Sequence, residues 1–186
     1  MYQELDGWQT VKGDICLKSA KKQGMGQIEE YQNLELQTAI SHCAKLRIAV
    51  DIGAHVGITA FRLSQSFEFV HAFEVNTNLF PCLQKNLDWK ECHNVTTHPV
   101  GIGDQEKEVD IKSTNKSFST HIDPKAKKGK YKIKTLDSFN LQNVDFIKID
   151  AEGYEPLVAK GALNTIERCN EIDPKSEILL IPIIRS

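Results

Sequence analysis

Apolar positions recur along the chain with two alternating periods. Between residues 28 and 46, Leu36, Ala39, Ile40 and Cys43 fall at i, i+3, i+4 and i+7, which predicts a helix with one buried stripe. RIAVDIG follows, apolar until it ends in an acid and a glycine, and predicts a fully buried strand over Ile48–Ile52. Gly57 opens a helix that turns Ile58 and Phe61 inward. FEFVHAFEV predicts a second buried strand ending at Glu74. Leu79, Leu83 and Leu87 mark a helix over residues 78–89, with Thr77 or Asn78 as its cap and Pro81 tolerated in its first turn. NVTTHPVGIGD predicts a third strand. Pro99 cannot donate to a ladder, so this strand belongs at an edge. Residues 105–135 predict a hairpin or irregular insertion, since EVDIK and YKIKT both alternate. DFIKID predicts a buried strand over residues 146–150, followed by a helix over 156–168 and a last strand over 177–184. Residues 1–27 are polar, carry Gly7, Gly13, Gly24 and Gly26, and show no period. They predict an N-terminal arm.

Strands alternating with helices call for an α/β fold: a Rossmann-like, doubly wound, mostly parallel sheet. Right-handed crossovers and a reversal at the first strand predict strand order 3-2-1-4-5, with the hairpin insertion before strand 4. The 186 residues suit a single domain spanning 1–186. Within it we expect an arm and helix (1–46), a cofactor-binding half (47–104), the insertion (105–135) and a second half (136–186). Hydrophobic residues at 40% and charged residues at 26% exclude a disordered or collagen-like chain. A formal charge of −2 gives no electrostatic reason to expect nucleic acid. The five cysteines form no CxxC pair, which points to a reducing compartment and inert thiols. No segment reads as a signal peptide, and the run ILLIPII is too short to cross a bilayer, so a soluble, cytoplasmic protein with no membrane partner is expected.

Ligands of such sheets bind outside the carboxyl ends of the strands. Four strand ends carry acids here: Asp51, Glu74, Asp104 and Asp150. Asp51 begins the DxGxxxG turn formed with Gly53 and Gly57. It stands where a dinucleotide fingerprint has its first glycine, and its charge would oppose a pyrophosphate. A cationic ligand fits better than NAD or FAD. Glu74, 23 residues beyond Asp51, is placed to accept hydrogen bonds from both hydroxyls of a ribose.

VDIGAHVG, AFEV, VGIGD, TLDSF and DFIKIDAEGYE, with KGA a few residues on, together resemble the FkbM-type methyltransferases of class I. The resemblance implies S-adenosylmethionine as cofactor. It implies that Asp51, Gly53, Ala54 and Gly57 line the methionine part, with His55 standing where relatives often have asparagine. Glu74 would hold the ribose, Val75 the adenine, and Ile102, Gly103 and Asp104 would close over the adenine. Asp150 would stand beside the sulfonium.

The resemblance also implies methyl transfer to oxygen, on a sugar or another small hydroxylated acceptor. An alcohol needs a base, and the candidates are Asp150, Glu152 and His121. Asp150 and Glu152 lack a third ligand, so no metal is expected. His42, His71, His93 and His98 show no paired spacing. Asp137 and Glu155 read as helix-end acids. Lys125, Lys127, Lys128, Lys130, Lys132 and Lys134 read as a solvated hairpin, with a landing site for an anionic acceptor as the alternative, and Trp8 is a candidate cover for the acceptor. Class I enzymes usually carry two further strands, so a shortened C-terminus is expected. Its bare strand edge would be covered by the N-terminal arm or by a second subunit in a homodimer. The alternative function is a catalytically silent cofactor-binding or scaffold protein of this fold.

Overall fold

The computed structural model describes residues 1–113, 120–123, 129–172 and 177–180. The chain starts with an antiparallel hairpin of β1 (Tyr2–Leu5) and β2 (Trp8–Val11). Asp6 and Gly7 turn it, both at positive φ (52° and 84°). A Cβ on Gly7 would lie 2.3 Å from the Trp89 indole, so this turn admits only glycine without a shift. Next come α1 (Cys16–Gln23), a 3₁₀ turn (Ile28–Glu30) and α2 (Asn33–His42).

The predicted arm is therefore not loose. Trp8, Leu17, Ala20 and Ile28 are buried with Val56, Ile58, Leu79 and Cys82 in one apolar cluster. Trp8 is fully buried, packs edge-on against Phe61 and Trp89, and donates its indole N–H to Glu29 at 2.9 Å. It is a core residue, not an acceptor cover. The segment was hard to read because its apolar positions are sparse and its strands four residues long. The helix expected from residue 28 starts at Asn33 instead, because Gln32 takes a left-handed conformation (φ 54°) between the 3₁₀ turn and α2.

The central sheet contains β3 (Ile48–Ile52), β4 (Phe69–Phe73), β5 (Val95–His98), β10 (Val144–Ile149) and β11 (Glu177–Leu180). Its five strands are all parallel, in the order β11-β10-β3-β4-β5. The connecting helices are α3 (Ile58–Ser64), α4 (Phe80–Trp89), α5 (Glu155–Lys160) and α6 (Leu163–Ile172). β5 lies at one edge and ends immediately before Pro99. β11 lies at the other edge, with α2 packed against it. Pro182 and the remainder of the ILLIPII run fall outside the described residues.

The helix expected over 156–168 is two helices. Gly161 lies between them, and only glycine fits there, since a Cβ would come 1.9 Å from the Gly103 carbonyl oxygen. Asp137 caps α6, accepting the Thr165 N–H at 2.8 Å and the Asn164 N–H at 3.1 Å. A second sheet fills the insertion. β6 (Gly101–Ile102) pairs in parallel with β9 (Tyr131–Lys134), which pairs antiparallel with β7 (Lys107–Ser113). β8 (Thr120–Asp123) closes it as the outer strand. Lys125, Lys127 and Lys128 lie outside the described residues. Among the described residues, no helix is long and apolar enough to cross a membrane.

Candidate active site

A cavity of about 230 Å³ opens at the carboxyl ends of β3, β4 and β10. Two glycine-dependent turns shape its floor. Gly53 (φ 84°) passes so close to β10 that a Cβ would lie 2.0 Å from the Asp150 carbonyl oxygen. Its N–H and that of Ala54 both donate to the Phe73 carbonyl, at 3.0 and 2.9 Å, which ties the turn to the end of β4. Gly57 (φ 94°) begins α3 and packs against Leu83 and Leu87. It shapes the turn but is not among the residues lining the cavity.

Glu74 is buried at the end of β4 and lines the cavity. Its two oxygens accept the backbone N–H groups of His55 at 2.8 Å and Asn76 at 2.7 Å. Burial pushes its carboxyl above the usual range, while His55 and those two N–H groups pull it back. The carboxylate is thus fixed in place with lone pairs to spare.

Asp51 is fully buried, and it does not line the cavity. The chain itself supplies Asp51 with a cationic partner that the strand-end reading did not include. Lys148 stands opposite Asp51 in the β3–β10 register, with Nζ 3.1 Å from Asp51 Oδ1. The same Nζ lies 3.7 Å from Asp150 Oδ2 and 3.5 Å from the Gly53 carbonyl oxygen. Burial works against the ammonium, yet Asp51 and Asp150 together hold it well above the ordinary lysine range. Burial raises the Asp51 carboxyl above its usual range, and Lys148 pulls it back.

Asp150, Ala151 and Glu152 line the cavity on the loop after β10, where Glu152 is left-handed (φ 52°). Glu155 holds that loop, accepting the Ala151 N–H at 3.0 Å and the Gly153 N–H at 3.1 Å. Ala54, His55, Val75 and Ile102 also line the cavity. Gly103 and Asp104 are not among the lining residues. Asp104 is engaged by Lys107 at 3.3 Å and Lys160 at 3.7 Å, so its carboxylate already has cationic partners. The backbone of His121 pairs with Lys112 in the second sheet, and its side chain falls outside the described ones.

The N-terminal segment contributes the wall that the sequence did not reveal. Cys16, Ser19, Ala20 and Gln23 of α1 line the cavity, as does Tyr31. Burial raises the Tyr31 phenol, and the charges of Asp150 and Glu152 raise it further against an opposing effect of Lys148. It therefore stays a neutral hydrogen-bond donor beside the two candidate bases. Lys148 carries a signal in the sequence, as the lone cation inside the apolar run DFIKID.

His55 (φ 51°) brings its Nε2 to 3.3 Å from Asp14 Oδ2. Burial opposes its protonation, but Asp14 and Cys16 hold its imidazole well above the usual histidine range. The Asp14 carboxyl is correspondingly lowered: burial opposes this, and the His55 contact outweighs it.

The family model of the methyltransferase FkbM domain matches residues 51–172. Among curated proteins, none matches the chain. Three solved structures are similar. The methyltransferase FkbM from Methylobacillus flagellatus KT is 23% identical, with 66% of this chain aligned to 30% of that one at a TM-score of 0.48. The precorrin 8W decarboxylase from Methanobacterium thermoautotrophicum is 16% identical, with 82% of this chain aligned to 63% of that one at a TM-score of 0.50. An rRNA methylase from Streptococcus thermophilus is 12% identical, with 81% of this chain aligned to 70% of that one at a TM-score of 0.47. The chain thus spans less than two thirds of the length of the first two. At 16% identity, the likeness to the precorrin 8W decarboxylase concerns the fold alone.

Proposed function

Because the chain belongs to the FkbM methyltransferase domain family, we propose that it transfers a methyl group from S-adenosylmethionine to a hydroxyl oxygen of a sugar or another small acceptor. The residues present fit that cofactor. Glu74, anchored through two backbone N–H groups, keeps lone pairs for the ribose hydroxyls. Gly53, Ala54 and the charged cluster of Asp51, Lys148 and Asp150 would hold the methionine part and its sulfonium, and Val75 and Ile102 would flank the adenine. When bound, the cofactor supplies an electrophilic methyl on a positively charged sulfur.

The chain's own residues do the rest. Asp150 and Glu152 line the cavity and would take the proton from the acceptor's hydroxyl as it attacks. Tyr31 donates a hydrogen bond across the same space and orients the acceptor. Helix α1 closes one side and limits water. Holding acceptor and methyl in line at near-attack distance supplies much of the acceleration. The observation that carries this reading is that Glu74 and Asp150, from the ends of two different strands, line one cavity.

Calorimetric titration with S-adenosylmethionine and S-adenosylhomocysteine tests it, with NADH as the control. The expected result is micromolar binding of both, lost in Glu74→Ala, with no binding of NADH. Asp150→Ala should abolish transfer while sparing most of the affinity. Absence of binding to either cofactor form would overturn the proposal.

A further inference from the structure

We propose that Asp14, Cys16 and His55 form a binding site for a zinc-class divalent ion at the rim of the cavity. One ligand atom from each residue lies within 4.8 Å of the others. Two ligands on one tetrahedral zinc stand roughly 3.3–3.8 Å apart, given bonds of about 2.0–2.3 Å. His55 Nε2 and Asp14 Oδ2, at 3.3 Å, already have that spacing. Thiolate, imidazole and carboxylate is a soft and borderline donor set that favours zinc over magnesium or calcium.

The surroundings are built for the set. Asp14 Oδ1 is committed to the Cys16 N–H at 2.8 Å, which leaves Oδ2 as the ligand oxygen. The fully buried Thr10 orients two of the three residues: its hydroxyl donates to Asp14 Oδ2 at 3.1 Å and accepts from Cys16 Sγ at 3.7 Å. Outer partners of this kind fix ligand geometry in metal sites. His55 Nε2 is buried and makes no hydrogen bond of good geometry. Its backbone is held left-handed by the turn and by the N–H bond to Glu74. Cys16 and His55 both line the cavity, so the fourth position of the ion would open into it and take water or an oxygen of a bound acceptor. The site joins the first segment of the chain to the glycine turn, and it stands whether or not the cofactor reading does.

The test is titration of the tag-free, reduced chain with cobalt(II), followed by displacement with zinc. One equivalent should bind, with a thiolate-to-cobalt charge-transfer band in the near ultraviolet that zinc abolishes. Cys16→Ser should remove the band. Asp14→Asn retains the oxygen that caps Cys16, and should weaken binding by roughly a hundredfold or more, beyond the effect of losing an outer-shell partner. Circular dichroism identifies any variant that fails to fold. In that case Thr10→Val serves instead, and should weaken binding by about 10–100-fold. A thiolate band retained in Cys16→Ser would place the ion on another cysteine and overturn the proposal. So would the absence of stoichiometric binding to the unmodified chain.

Discussion

The pairing of Asp51 with Lys148 makes a sharp demand on stability. Both side chains are almost wholly removed from water, so neither can lose its partner without leaving a bare buried charge. Lys148→Met should destabilise the chain by about 3–5 kcal/mol in urea unfolding. Adding Asp51→Asn should recover a large part of that loss, because the orphaned carboxylate is then gone. An additive double variant would show that the two residues are not coupled. His98 makes a different demand. It stacks on Phe73 at 4.4 Å, and its Nε2 lies 3.0 Å from His71 Nδ1, a pairing across β4 and β5 that spacing in sequence concealed. Burial, then the His71 charge, push it down to about 4. The unfolded value is about 6.5, so between these limits the unfolded chain binds more protons. Stability attributable to His98 therefore falls as pH falls through that window. Urea midpoints measured between pH 7 and 5 should fall less steeply in His98→Phe, which keeps the stack and removes the titration.

At the level of elements, the Asn86 side chain of α4 hydrogen-bonds the hairpin β1–β2, beside the packing of Trp8 on Trp89. Asn86 is buried, accepts the Gln9 N–H at 2.7 Å, and donates to the Gln9 and Val56 carbonyls at 2.9 and 2.8 Å. Asn86→Leu should strand these groups at about 1–3 kcal/mol each. Hydrogen exchange at the Gln9 amide should accelerate more than exchange in β3, and uniform acceleration would argue against a local clasp. The contrast between the hairpin and the sheet explains which parts were legible. β3 and β10 are buried on both faces, and β4 is fully buried on one and partly on the other, so all three read as mostly apolar runs. The acids that follow them, Glu74 and Asp150, were legible because their type departs from the run. Asn86, Tyr31 and Asp14 belong to elements with no such run, and only the tertiary arrangement gives them a task. The need for glycine at 161 was hidden for the same reason, since the Gly103 carbonyl that crowds it is 58 residues away in sequence.

At the scale of the whole molecule, the cavity is shared between the N-terminal segment and the parallel sheet, so ligand binding should stiffen both. S-adenosylhomocysteine at a hundred times its Kd should stabilise the chain by about 2.7 kcal/mol. Amide exchange should slow in α1 as well as in the loops after β3 and β10. Protection confined to those loops would remove α1 from the site. The same arrangement carries a consequence for biosynthesis. Cys16 leaves the ribosome well before Tyr154, yet both line one cavity. At about 5–20 residues per second, roughly 7–28 seconds separate the two. Even the apolar partners of Trp8 extend to Cys82. The nascent segment must wait with Trp8, Leu17 and Ile28 in water or in the keeping of a chaperone, so slowing translation before residue 82 should lower the soluble yield more than slowing it after residue 154.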